Sequence, residues 1–162
     1  MENILKTVYE NKRLFNTLLF ISHFISALSV VAAAVIFVKA FFISPFSLIK
    51  LAIILGIPFI AVSIIRKLLN KKRPYEIYDF YEIKPKKREG LSFPSRHAHS
   101  FFAVSLAVSF FYPILFIPLL ILGLALCTFR VLLGIHFIRD VVTGALTGTI
   151  STILGFLILS TL

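Results

Sequence analysis

The chain has 162 residues, 59% of them hydrophobic, with a mean hydropathy of +0.98 and a formal net charge of +10. Soluble domains are roughly half apolar, so this composition excludes an ordinary soluble domain and predicts one small integral membrane domain over residues 1–162. The charge does not imply a nucleic-acid partner, because the cations flank apolar runs and form no recognisable nucleic-acid-binding pattern.

In chain order, residues 2–15 place Ile4, Leu5, Val8 and Phe15 on one helical face with most charges elsewhere, which predicts a short interfacial helix. No small-residue cleavage site follows, so no removable signal peptide is expected. Phe15 to Phe42 is apolar enough for a first span, which needs about 20 residues. Ser44-Pro45 breaks it, and Leu48 to Ile65 forms a second span with a proline at position 58. Residues 66–96 then form a polar loop holding ten of the seventeen Lys and Arg, four of the seven acids, three prolines and three tyrosines.

Ala98 to Phe116 is a third span, Leu119 to Ile135 a fourth and residues 139–162 a fifth. Gly144, Thr147, Gly148 and Ser151 recur on one face of the last helix, where small residues allow close helix packing. Cys127 sits in an apolar run as a packing residue, and a single cysteine cannot form an intrachain disulfide. The expectation is an all-α, polytopic transmembrane helix bundle of about five spans plus the N-terminal interfacial helix.

With spans drawn this way, three polar clusters fall on one side of the membrane: Arg66-x6-Arg73-Pro74, Pro94-Ser95-Arg96-His97 and Arg130-x5-His136-x3-Asp140. Ionisable residues at span ends are functional candidates because lipid makes them costly. Guanidinium groups of Arg66, Arg73 and Arg130, with Lys67 beside them, suit phosphate oxygens. Ser95 and Arg96 open a helix, whose first N–H groups favour the same anion. Asp140, four residues after His136, shares its face if both are helical and would orient the imidazole as nucleophile or base. His97 is then available to protonate a leaving oxygen. A metal at this place is not expected, since the arginines repel a cation.

The three clusters, in this order and spacing, resemble the signature of the type 2 phosphatidic acid phosphatase superfamily, which also includes vanadium-dependent haloperoxidases. The family pattern reads Lys-x6-Arg-Pro, Pro-Ser-Gly-His and Ser-Arg-x5-His-x3-Asp; the matching stretch here runs from Arg66 to Asp140. The resemblance implies that His136 attacks phosphorus, that Asp140 orients it, that His97 protonates the leaving group, and that Arg73, Ser95 and Arg130 bind phosphate oxygens. Three positions depart from the pattern. Arg66 stands at the family's lysine, with Lys67 next to it; Arg96 replaces the glycine; Phe129 replaces the serine before Arg130.

The expected function is therefore a metal-independent lipid phosphate phosphatase with no cofactor. Candidate substrates are phosphatidylglycerol phosphate, phosphatidic acid, undecaprenyl diphosphate and lipid A 1-phosphate. Its partners are the bilayer and that lipid, with no obligate protein partner evident. An anion or lipid-headgroup transporter using the same arginines is the alternative, and it would need polar residues through the depth of several spans. His23 is expected to bond between helices and His99 to make a structural or headgroup contact, while Lys71, Lys72, Lys84, Lys86, Lys87 and Arg88 face headgroups. Small size suggests a prokaryotic protein of the inner membrane. The excess of Lys and Arg beside the site would place it in the cytoplasm. The resemblance instead implies the extracytoplasmic face, which is the expectation taken, because phosphate-binding cations inflate the count.

Overall fold

A computed structural model describes residues 1–81 and 89–160. The expected headgroup-facing residues Lys84, Lys86, Lys87 and Arg88 lie outside the described residues. The described residues contain helices and no strand: α1 Glu2–Glu10, α2 Lys12–Ile43, α3 Pro45–Leu69, α4 Pro74–Ile77, α5 Arg96–Phe111, α6 Phe116–Leu132 and α7 Ile138–Ser160, with a 3-10 turn at Pro113–Leu115 between α5 and α6.

Helix α1 buries Leu5 and Val8, while Ile4, expected on the same face, is 58% exposed. Asn11 breaks the helix and caps α2 by accepting a hydrogen bond from the Leu14 amide at 3.0 Å. With 32 residues, α2 is about 48 Å long at 1.5 Å per residue, more than the hydrocarbon thickness. It ends at the expected Ser44-Pro45. There the Ser44 hydroxyl caps α3 by accepting from the Ser47 amide at 3.0 Å, and Pro45 occupies the first helical turn, where its missing N–H costs nothing.

Helix α3 carries Pro58 inside it and runs to Leu69, a turn beyond the expected end at Ile65. Asn70 closes it in the left-handed conformation at φ 37. Helices α2, α3 and α7, and α6 together with the 3-10 turn before it, are long and apolar enough to cross a membrane. The expected third span is shorter than drawn: α5 stops at Phe111, so its 16 residues cover about 24 Å. Proline at 113 prevents α5 from continuing, and the chain turns back into α6.

Helix α5 is the centre of the bundle. Ala98, His99, Phe101, Ala103, Val104, Ala107 and Val108 are buried along it. Ile36 and Ala40 of α2, Leu51 of α3 and Val104, Ala107 and Val108 of α5 form one apolar core, and Ile25, Phe101 and Leu126 form a second between α2, α5 and α6. The exterior is also apolar, with Phe42 80% and Ile114 86% exposed, a surface suited to lipid and not to water. The polytopic membrane bundle expected from composition is the fold observed.

The closest helix approach is between α5 and α7. A Cβ on Gly144 would lie 2.4 Å from the Ser95 carbonyl oxygen, and one on Gly148 2.3 Å from that of His99. Only hydrogen fits at both, so the small residues of α7 serve packing as read from the sequence. His99 sits in this seam, buried, its Nδ1 3.2 Å from the Thr147 hydroxyl. His23 lies on the exposed side of α2.

At the end of the bundle away from the polar loop, the Lys50 ammonium donates to the Leu159 carbonyl at the end of α7, and Lys39 lies 4.0 Å from the centre of the Tyr112 ring. Both intramembrane lysines are thus used to close that end. Gly148→Val should destabilise the fold by about 3 kcal/mol, the upper range for overpacking. This is read as a fall in melting temperature in detergent, and an unchanged value would contradict the packed seam.

Candidate active site

The site forms where the N-terminal ends of α5 and α7 meet the C-terminal ends of α3 and α6. Arg66 lies in the last turn of α3, and its guanidinium reaches across to the loop before α5. Nη1 donates to the Pro94 carbonyl at 3.0 Å and Nη2 to the Leu91 carbonyl. Arg73, just before α4, donates from Nε to Gly90 at 2.8 Å, from Nη1 to Ile135 at 3.1 Å and from Nη2 to Leu91 at 3.2 Å. Both arginines are buried, at 5% and 4% exposure, and both are satisfied largely by backbone carbonyls. Glu76 completes the tie: Oε1 accepts from the Arg73 amide at 3.2 Å and the Gly90 amide at 2.8 Å.

The spacing Arg130-x5-His136 has a structural reason. Helix α6 ends at Leu132, and Gly134 reverses the chain at φ +65, where a Cβ would also lie 2.1 Å from the Tyr81 hydroxyl. The Arg130 carbonyl then accepts from the Ile135 amide at 3.1 Å and from the His136 amide at 3.2 Å. One residue thus offers its guanidinium to the site and seats the histidine with its carbonyl.

His136 precedes α7, so it and Asp140 do not share a helical face as expected; a turn joins them. Phe137 donates its amide to Asp140 Oδ2 at 3.0 Å, which folds the carboxylate back toward the imidazole. His136 Nδ1 lies 3.7 Å from that oxygen, longer than a hydrogen bond, so the attraction is mainly electrostatic. Ser92 sits between them. Its hydroxyl donates to Asp140 Oδ2 at 2.5 Å and lies 3.5 Å from Nδ1. Since that hydroxyl proton goes to the carboxylate, its lone pairs face Nδ1, assigning the imidazole proton to Nδ1 and the free lone pair to Nε2. Nε2 is buried and has no hydrogen-bond partner among the described residues.

Ser95 is fully buried as the cap of α5; its Oγ accepts from the Ala98 amide at 3.4 Å, and its own amide donates to the Asp140 carbonyl at 2.9 Å. That backbone bond ties the Pro94-to-His97 cluster to α7. His97 is half-buried in the first turn of α5. Arg96 opens that turn, its guanidinium 5.7 Å from the centre of the Phe59 ring. Arg66, Arg73 and Arg96 lie within electrostatic reach of one another, as do Arg73 and Arg130; Asp140 attracts Arg66 and Arg73, and Glu76 attracts Arg73 as well.

The structure therefore gathers Arg66, Arg73, Ser95, Arg96, Arg130, His136 and Asp140, with His97 beside them. Lys67 is the exception. It is exposed, about 100° round the helix from buried Arg66, and sits outside the cluster. Sequence reading missed Ser92 and Glu76, whose partners are a side chain and backbone amides brought near only by folding. It also missed Ser26 of α2, whose hydroxyl accepts from Arg130 Nη2 at 3.0 Å. No group of three or more His, Cys, Asp or Glu is placed to hold a metal among the described residues.

Residues 47–162 match the PAP2 superfamily. The chain belongs to that superfamily. The match begins in α3 and takes in every cluster described above, leaving α1 and α2 outside it. Among solved structures, the PAP2 fold recurs in a transmembrane PAP2-type phosphatidylglycerolphosphate phosphatase from Bacillus subtilis, at a TM-score of 0.74 and 19% identity over 99% of this chain and 85% of that one. It recurs in LpxE from Aquifex aeolicus, at a TM-score of 0.66 and 18% identity over 89% of this chain and 93% of that one. No curated protein matches the chain significantly.

Burial holds the His136 imidazole at about 4, well below its ordinary 6.5, although the neighbouring carboxylate pulls upward; Arg73 and Arg66 add to the lowering. Between these values the unfolded chain binds a proton that the folded one refuses, so stability falls as pH drops from 6.5 toward 4. The melting temperature of the wild type in detergent should therefore fall more steeply over that window than that of His136→Asn. Parallel curves for the two proteins would contradict a neutral buried imidazole.

Proposed function

We propose that this membrane protein is a lipid phosphatase that hydrolyses a phosphomonoester or diphosphate of a membrane lipid through a phosphohistidine at His136. The observation carrying the reading is the buried His136–Ser92–Asp140 set, proton on Nδ1 and lone pair on Nε2, under Arg66, Arg73, Arg96 and Arg130. Membership of the PAP2 superfamily supports it.

In the proposed reaction the guanidinium groups draw in the phosphate and neutralise charge on its non-bridging oxygens as the transition state forms. The Nε2 lone pair attacks phosphorus, forming the N–P bond as the P–O bond to the lipid breaks. His97 donates a proton to the departing lipid oxygen. Asp140 and Ser92 stabilise the cationic ring of the phosphohistidine through Nδ1–H. Water then attacks phosphorus, His97 takes its proton, the N–P pair returns to Nε2, and inorganic phosphate leaves. Ser95 holds the first turn of α5, with His97, against Asp140. No step needs a metal.

A lipid phosphate suits the setting, because its tail stays in the bilayer while the headgroup enters at the polar end. Phosphatidylglycerol phosphate, phosphatidic acid, undecaprenyl diphosphate and lipid A 1-phosphate all have this form, and the basic cluster accepts each. We place the protein in a prokaryotic inner membrane as one catalytic domain with the site on the extracytoplasmic face. The transporter alternative is disfavoured by the packed core below the site, where Ile36, Ala40, Leu51, Val104, Ala107 and Val108 offer no polar path.

Phosphate release from these four lipids by the detergent-purified protein is the test. Wild-type release should persist in EDTA, fall to background in His136→Ala, and fall about 10²- to 10⁴-fold in His97→Ala, the usual share of general acid–base catalysis. Acid-labile phosphate should accumulate on the wild type and not on His136→Ala. Folded protein that binds phosphate yet releases none from any lipid would favour the transporter or binding reading.

A further inference from the structure

Arg130 is the most deeply buried of the site's arginines, at 1% exposure, and α6 alone does not hold its guanidinium. Nη2 donates to the Ser26 hydroxyl of α2 at 3.0 Å, across 104 positions of sequence, while Nε and Nη1 have no partner among the described residues. Ser26 is set up to accept. Its own proton is committed to the Ser22 carbonyl at 2.8 Å, which turns its lone pairs toward Arg130. Around the bond, Ile25 of α2, Phe101 of α5 and Leu126 of α6 form an apolar cluster against which Phe129 also packs. The bond is thus half-buried beside apolar side chains, where a charge-assisted hydrogen bond is stronger and more directional than in water.

We propose that Ser26 is a positioning residue for the oxyanion site: α2, which lies outside the superfamily match, fixes the rotamer of Arg130 so that Nε and Nη1 face the phosphate. The residue before Arg130 is committed to packing as Phe129, so the hydroxyl comes from another helix. Ser26 touches Arg130 and not the substrate. The proposal rests on the phosphatase reading only for what the oriented arginine binds.

The test combines turnover of phosphatidic acid with calorimetric titration of inorganic phosphate, both on detergent-purified full-length protein. Ser26→Ala should weaken phosphate binding about tenfold or more and lower kcat/KM by a similar factor, the loss expected for a hydrogen bond to a charged group. Ser26→Thr should stay within a few-fold of the wild type, since threonine keeps the hydroxyl and can make the same bond to the preceding turn. Ser22→Ala, one turn away, should match the wild type in both assays. In an Arg130→Ala background, Ser26→Ala should produce no further loss of phosphate binding.

Ser26→Ala with wild-type phosphate affinity and kcat/KM would overturn the positioning role and leave the phosphatase reading standing. Phosphate binding that weakens in Ser26→Ala, in a wild type that hydrolyses none of the four lipids, would support the positioning role while overturning the phosphatase reading. Equal losses in Ser22→Ala and Ser26→Ala would reduce Ser26 to a general packing residue and overturn the inference.

Discussion

Everything at the polar end hangs on two guanidinium groups that bind backbone instead of carboxylates. Arg66 and Arg73 together hold the carbonyls of Gly90, Leu91, Pro94 and Ile135, joining the end of α3, the loop before α5 and the turn between α6 and α7. Buried or half-buried under the polar loop, these carbonyls need partners within the protein. A guanidinium satisfies several at once, and it remains charged while doing so. A lysine at position 66 would offer a single ammonium, and so could not span Leu91 and Pro94 with the same planar fork.

The same arrangement explains why the histidine is neutral and aimed. Burial is the main force that keeps His136 unprotonated, and because carbonyl acceptors orient the arginines without cancelling their charge, the field of Arg73 and Arg66 adds to it. Asp140 tempers that field, and Ser92 divides the carboxylate from the ring. The outcome is an imidazole with its proton directed at Asp140 and Ser92 and its lone pair turned the other way. Because Ser95 bonds to the Asp140 backbone, any shift of α5 along α7 would disturb both clusters together. Gly144 and Gly148 prevent such shifts by letting the two helices close on each other's backbone.

Much of this was legible from residue order alone. Apolar runs predicted the bundle because lipid demands them, and the motifs were readable because their spacing is fixed by local turns, as at Gly134 between Arg130 and His136. The failures have equally local causes. Hydropathy ends the second span at Ile65, before the first arginine, yet α3 continues to Leu69 because loop carbonyls satisfy Arg66. Hydropathy carries the third span through Phe116, whereas Pro113 stops α5 first. Adjacency in sequence groups Lys67 with Arg66, although neighbours on a helix point about 100° apart. Ser92, Glu76 and Ser26 left no trace, since a serine or glutamate that meets its partner only through folding looks like any other.

The charge balance of the site argues for the class of ligand. Arg66, Arg73, Arg96 and Arg130 repel one another through Arg73 and Arg66, with Asp140 offsetting part of the charge on Arg66 and Arg73 and Glu76 part of that on Arg73, while Asp140 Oδ2 is already engaged by Ser92 and the Phe137 amide. Like charges held this close raise the free energy of the folded chain, and a dianionic headgroup would relieve it more fully than any neutral or monoanionic one. In the proposed reaction that relief is greatest when charge on the phosphoryl oxygens peaks. Transfer to Nε2 then keeps the phosphoryl group within the same cationic ring while the lipid oxygen leaves with its proton. Repulsion stored by folding thus favours the transfer, and it does so only where the bundle keeps water from screening it.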